Sequence, residues 1–336
     1  MCLDVNTGKI KWYFQTVHHG LWDWDIPAQP NLVTITVDGK KIDAVAQVTK
    51  RGDTFVFDRV TGKPVWPIVE RPVSIDSNVP GEKPHATQPF PTKPPAFTDQ
   101  GVSLDDANDL TPEIRTLARE QMAKFRIGPL FTPPSLEGTI VRPGTTGGGN
   151  WSGAAVDPAT GFLYVPSRNA FAVSKLNAPD AALQSNLLYM QGTPRNPQMP
   201  EGLPLFKPPY SRMTAIDMNS GNHVWMIPTG NGDRIRNNPR LKPLNLPPVG
   251  GDITLSGPLL TRTLLVYALT TGGTNSGPRL VAYDKATGKE LGSTDLPGPA
   301  IGTPMTYLAN GKQYIAITVQ GRTQSDIPEL IALALP

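Results

Sequence analysis

The sequence predicts an all-β fold built from a repeated strand–turn–strand unit. Three observations carry this expectation. The motif Asp-x-x-Thr/Ser-Gly, followed by an apolar run, occurs five times, beginning at Asp4, Asp58, Asp157, Asp217 and Asp284. Glycine (32) and proline (37) together make up about a fifth of the 336 residues, which suits many short strands and long loops. Helical periodicity is confined to one short segment, 112–125.

Each repeat reads as a β-hairpin. The aspartate opens the turn with a carboxylate that can accept backbone N–H groups, and the glycine supplies the left-handed conformation. Strand-like runs such as RMTAIDM and RLVAYD lead into the turns. In the first, second and fourth units a tryptophan (Trp12, Trp66, Trp225) stands four residues after the glycine, where it can pack between neighbouring sheets. The motif starts are 54, 99, 60 and 67 residues apart. That spacing is one unit of ~45 residues plus insertions, the period of a propeller blade. One such turn would be a common hairpin; five with shared flanks make a repeat.

The widest gap holds an insertion at about 70–145. Its first part is proline-rich and reads as extended loop. Thr111 then caps a helix with Pro112 at its first position. Ile114, Leu117, Ala118, Gln121, Met122 and Phe125 follow on one face, so 112–125 is expected as an amphipathic helix packed on the propeller. Residues 192–211 and 228–250 read as long loops, and 313–319 and 329–335 as closing strands. The first repeat lacks opening strands, so the expectation is a single partial β-propeller domain over 1–336, with about five blades of ~45 residues.

Composition excludes several classes. A net charge of +3, with no basic stripe, argues against nucleic acid as a partner. No run of ~18 apolar residues is present, so no helical membrane span is expected. Cys2 is the single cysteine, which removes disulfide frameworks and cysteine metal sites. Gly-x-Ser-x-Gly, HExxH and CxxC patterns do not occur.

The chemistry-bearing residues concentrate in VHHGLWDWDIPAQP, residues 17–30. Asp23 and Asp25 flank Trp24. In extended chain, positions i and i+2 share a face, so both carboxylates can point at one centre. Two such carboxylates bind a hard cation, or raise one another's pKa so that one acts as a base; the competing reading is that they cap turns. His18 and His19 face opposite ways in a strand, which favours packing or hydrogen bonding for one of them. Lys50, at the end of a loop, gains a role only if it points to the same centre as Asp23. The run GTTGGGNWSGAAVD (144–157) lacks a P-loop lysine, so a nucleotide site is rejected. It reads instead as a close backbone approach to a flat ligand, presenting Asn150 and Trp151, or as a plain flexible turn.

HHGLWDWDIPAQP resembles the active-site segment of the quinoprotein dehydrogenases that use pyrroloquinoline quinone (PQQ), most closely the membrane glucose-dehydrogenase branch and related sugar or alcohol dehydrogenases. The similarity continues through KRGDTFVFDRVTGKPVWPIVERPV, FTPPSLEGTIVRPG, GGGNWSGAAVDPATGFLYVPS, DKATGKELGSTDLPGPAIGTPMTYLANGKQYIAI and ELIALALP. The resemblance implies an eight-bladed propeller with PQQ near its axis, beside Ca²⁺ or a lanthanide. It implies that Asp23 is the catalytic base, taking the proton of a sugar or alcohol hydroxyl as hydride passes to the quinone C5. Lys50 would contact the cofactor's quinone oxygens, and Asn150 and Trp151 would line the cofactor and substrate pocket. Asp23 and Asp25 would serve the metal. Electrons would leave to a quinone or cytochrome, in the periplasm. Gly20 stands where an acidic residue is frequent in the family, and Arg322 falls near a position where the glucose branch carries His. The matched segment begins at residue 1, so the blades that supply further metal ligands in the family fall outside it. The alternative is a non-catalytic propeller scaffold, or an inactive truncated fragment of such an enzyme.

Overall fold

The structure is a computed structural model and describes all residues except 181, 183, 193–195, 252–255, 322–325 and 335–336. Arg322 therefore lies outside the described residues. The strands pair in antiparallel sheets, and helix is sparse. The chain divides into two compact units. The first comprises Met1–Ile26, Thr49–Gly148 and Asn169–Pro208; the second comprises Pro27–Val48, Gly149–Arg168 and Pro209–Pro336.

All five repeats form the expected turn. The glycine N–H donates to the aspartate carbonyl at 2.7–2.8 Å in each case. The five glycines hold φ between 68° and 76°, the left-handed region that a β-carbon disfavours. The aspartate carboxylates accept backbone N–H groups two or three residues ahead. At Asp58 these bonds, that from Thr61 foremost, hold the carboxyl below its ordinary range.

The second unit shows why its inner strand Leu264–Leu269 is apolar on consecutive residues. Two of its sheets have four strands each. One runs Asn222–Pro228, Ser211–Asp217, Phe162–Arg168, Ala155–Val156; the other runs Leu259–Leu260, Leu264–Leu269, Arg279–Asp284, Glu290–Asp295. A three-stranded sheet joins Met305–Ala309, Lys312–Val319 and Glu329–Ala334. In LLVYAL (264–269), Leu265, Tyr267 and Leu269 pack with Tyr164, Met213 and Ala215 of the first sheet. The alternate residues Val266 and Ala268 pack with Ile317 and Val319 of the three-stranded sheet. Both faces of the strand are buried, so no polar residue alternates.

Two of the three repeat tryptophans, Trp12 and Trp225, pack against the next repeat's turn. Trp12 Nε1 donates to Arg59 O at 3.0 Å, and a β-carbon on Gly62 would lie 2.5 Å from its ring. Trp225 Nε1 donates to Lys285 O at 3.3 Å, and a β-carbon on Gly288 would lie 2.9 Å from its ring. In both cases the acceptor is the residue after the next repeat's aspartate, so one indole reads the next turn in the same register.

In the first unit the insertion carries the helix Pro112–Met122, capped by Thr111 Oγ1, which accepts from Ile114 N at 3.2 Å. Ile114, Ala118 and Met122 are buried. The helix stops short of the expected residue 125. Arg126 commits its backbone instead to Gly138 O and Ile140 N, alongside the strand Thr139–Val141. The closing strands appear at Lys312–Val319 and Glu329–Ala334.

Candidate active site

The segment 17–25 belongs to the first unit and is fixed from behind. Gln88, fully buried, brackets His18 with two bonds: it accepts from His18 N at 2.8 Å and donates to His18 O at 2.7 Å. Trp22 and Trp24 are buried and stacked, with ring centroids 5.2 Å apart. Phe131 meets both edge-on at 5.2 and 5.3 Å. Each indole N–H finds an acceptor, Thr132 O at 2.8 Å and Pro143 O at 3.2 Å, as buried tryptophans require.

Turning Trp22 and Trp24 inward turns Asp23 and Asp25 outward. Their side chains are 61% and 55% exposed. The segment is not a regular strand, because Asp23 holds φ at 59°. A short polar side chain tolerates that left-handed conformation better than most, and such outliers cluster at functional sites.

Lys50 reaches the same centre. It sits in the turn Thr49–Asp53, closed by Thr49 N to Asp53 O at 3.0 Å and by Asp53 N to Thr49 Oγ1 at 3.2 Å. Its side chain is 10% exposed, and Nζ lies 2.5 Å from Asp25 Oδ1 and 3.5 Å from Asp23 Oδ2. It also donates to the Asp23 backbone carbonyl at 3.1 Å. The lysine therefore holds the backbone of one aspartate and the carboxylate of the other.

The glycine run explains how so long a side chain is confined. Gly147, at φ 72°, lies against the Lys50 stem, where a β-carbon would come within 2.6 Å of Lys50 Cβ. Gly148 N donates to Lys50 O at 2.7 Å, and its own β-carbon would strike Thr98. Within this unit the close backbone approach is to Lys50 and Thr98. Asn150 and Trp151 belong to the second unit. Asn150 Oδ1 accepts from Trp151 N at 2.8 Å, and the Trp151 indole is 76% exposed.

The histidines serve the scaffold. His18 Nε2 lies 2.9 Å from Glu70 Oε1, and His19 Nε2 lies 2.7 Å from Glu82 Oε1. Desolvation pushes the Glu70 carboxyl up, but hydrogen bonds from His18 and Thr87 prevail and leave it below its usual range.

Sequence reasoning missed Arg51. It stands beside Lys50 in a charged pair that reads as solvated, yet it is fully buried. Its guanidinium lies 5.3, 5.2 and 4.9 Å from the rings of Phe55, Phe90 and Phe131. Nε donates to the Asp53 carboxylate and Nη1 to Thr16 O at 3.0 Å. Burial pulls its pKa below the arginine range, against the support of Asp53.

Two outward carboxylates beside a confined ammonium offer hard oxygen donors of the kind Ca²⁺ or a trivalent cation takes. They supply only part of a coordination shell of ~6–8 oxygens. Among the described residues no group of three or more His, Cys, Asp or Glu side chains is placed to hold a metal. The carboxylates fit such an ion as partial ligands, with Lys50 as competitor for Asp25. The ammonium is a donor of the kind a quinone oxygen accepts from. Among the described residues no helix is long and apolar enough to cross a membrane.

Comparison with known proteins identifies the family. The chain is 34% identical over 346 residues to the quinate/shikimate dehydrogenase (quinone) of Acinetobacter baylyi, covering 97% of this chain and 42% of that protein. It is 33% identical over 350 residues to the quinoprotein glucose dehydrogenase of Escherichia coli, covering 96% of this chain and 42% of that protein. The chain thus spans less than half the length of these relatives. Among solved structures, the quinohemoprotein alcohol dehydrogenase from Comamonas testosteroni superposes with a TM-score of 0.57 at 20% identity, over 94% of this chain and 38% of that one. Residues 1–315 match the family model described as PQQ: glucose/ethanol/alcohol dehydrogenase, beta-propeller domain. The all-β repeat is thus of the quinoprotein propeller type, and the chain belongs to the PQQ-dependent glucose/ethanol/alcohol dehydrogenase family.

Proposed function

We propose that this protein takes part in the PQQ-dependent oxidation of a sugar or alcohol hydroxyl, with Asp23 as the base. The observation that carries the reading is the shared approach of Asp23 and Asp25 to the Lys50 ammonium. When bound, PQQ supplies the two-electron acceptor, and the cation beside it supplies Lewis-acid polarisation. Lys50 donates to the cofactor's quinone oxygens. Asp23, open to solvent at its carboxylate and fixed through its backbone carbonyl, accepts the proton of the substrate hydroxyl. Asp23 and Asp25 contribute oxygens to Ca²⁺ or a lanthanide. For Asn150 and Trp151 the proposed role is contact with cofactor and substrate, supported by an exposed indole face available to a flat ligand.

The proposal extends to residues 1–336 as a single partial propeller domain. It places the protein in the periplasm, with a quinone or cytochrome as electron acceptor. The test is reduction of an artificial dye by the purified protein with glucose and with small alcohols, with and without PQQ and with Ca²⁺ or a lanthanide. Dye reduction that needs both PQQ and the cation supports the reading. No PQQ-dependent turnover with any substrate would favour the non-catalytic scaffold or inactive fragment.

A further inference from the structure

Arg51 is a fully buried cation to which the proposed chemistry gives no task. Its position is costly. One carboxylate, Asp53, and one carbonyl, Thr16 O, replace its water, and Nη2 is buried with no hydrogen-bond partner among the described residues. A buried ion pair is a weak stabiliser, and an apolar side chain among three phenylalanines would fill the space as well or better. The arginine must therefore contribute something directional.

What it touches defines that contribution. Arg51 shares the turn Thr49–Asp53 with Lys50, and the two side chains leave in different directions, one into the core and one to the carboxylates. Through Nη1 it ties that turn to Thr16, just before the segment 17–25. Its guanidinium lies on Phe131, whose ring supports Trp22 and Trp24. Those indoles alternate with Asp23 and Asp25. One planar group thus meets the lysine's turn, the aspartates' chain and the aromatic support between them. A planar guanidinium can hydrogen-bond in its plane while stacking on its faces, which an ammonium cannot do.

We propose that Arg51 is a positioning residue that fixes the Lys50 ammonium against Asp23 and Asp25, and through it the grip on the cofactor. The proposal rests on the reading of Lys50 as a cofactor contact, and the test separates the two. PQQ affinity is measured by quenching of tryptophan fluorescence in the wild type, Lys50→Ala, Arg51→Lys and the double variant. A further variant, Arg51→Met with Asp53→Asn, keeps the pocket neutral and removes the risk that an unpaired buried Asp53 prevents folding. In parallel, the ¹⁵N-resolved signal of the Lys50 ammonium, identified by its absence in Lys50→Ala, reports whether that group is held, with no cofactor present.

The expected result is that Arg51→Lys weakens PQQ binding about tenfold, the scale of one charge-assisted hydrogen bond. It adds nothing in the Lys50→Ala background. The Lys50 ammonium signal is lost in both Arg51 variants while the melting transition stays cooperative. Arg51 substitutions that weaken binding equally in both backgrounds, or that leave the ammonium signal in place, overturn the proposal. If Lys50→Ala binds PQQ as well as the wild type, the cofactor role of Lys50 fails, and the ammonium signal alone decides whether Arg51 holds the lysine.

Discussion

The Lys50 ammonium lies 2.5 Å from the Asp25 carboxylate and 3.5 Å from the Asp23 carboxylate. The nearer partner is thus not the proposed base. Asp25 takes most of the lysine's attention, and Asp23 is held chiefly through its backbone carbonyl. Its carboxylate keeps acceptor capacity for a substrate proton.

The division of labour predicts that Asp25→Asn acts on cation dependence. The substitution weakens one hard donor and turns Lys50 toward Asp23. Half-maximal dye reduction should need about tenfold more Ca²⁺, the scale of one charge-assisted contact. The melting temperature should fall only modestly, because Asp25 is more than half exposed and the confined Lys50 ammonium keeps the Asp23 carboxylate and carbonyl as partners. Unchanged cation dependence would remove Asp25 from the metal's shell.

Gly147→Ala should damage both stability and site. The new methyl would meet the Lys50 stem at 2.6 Å, at a residue with φ 72°. Overpacking and the left-handed backbone together cost about 1–3 kcal/mol. Denaturant unfolding measures that cost, and PQQ affinity should fall in the same variant as Lys50 moves. Full affinity in Gly147→Ala would mean that the stem has room to shift.

The repeat's tryptophan can be tested away from the site. Trp225→Phe keeps most of the ring but loses the bond to Lys285 O, a loss of about 1 kcal/mol. Trp225→Ala removes a half-buried indole and should cost ~2–3 kcal/mol, less than a fully buried one. Chemical denaturation of the two variants gives the ordering; equal costs would show that the N–H carries the whole contact.

Asp157 predicts an acid limb to stability. Burial raises its carboxyl pKa, but the Lys285 ammonium at 2.6 Å and the Ala159 N–H outweigh it and leave it below the ordinary value. A depressed folded-state pKa adds stability above the unfolded value of ~3.9, and this is lost as pH falls through the folded value. The melting difference between wild type and Asp157→Asn should therefore be largest near neutrality and shrink below about pH 4. A difference independent of pH would assign the effect to packing.

Much of this was legible in the sequence because it depends on neighbours in the chain. The five Asp-x-x-Thr/Ser-Gly turns form as read, since capping and left-handed glycine are local. The shared face of Asp23 and Asp25 was readable from their spacing, although the left-handed backbone at Asp23 was not. Lys50 could only be conditional, because its approach is set by the Thr49–Asp53 turn and by Gly147, far away in sequence. Arg51 and Gln88 were invisible for the same reason. A buried arginine is recognised by the three phenylalanines around it, and these come from residues 55, 90 and 131. The helix ended early at Met122 because Arg126 pairs beside Thr139, a competition that periodicity does not register.

The most direct measurement is reduction of PQQ by substrate in one turnover, followed by absorbance in wild type and Asp23→Ala with saturating cation. The account predicts rapid reduction in the wild type and a loss of about 10²–10⁴-fold in Asp23→Ala, with the melting temperature preserved. Equal rates in the two proteins would contradict it.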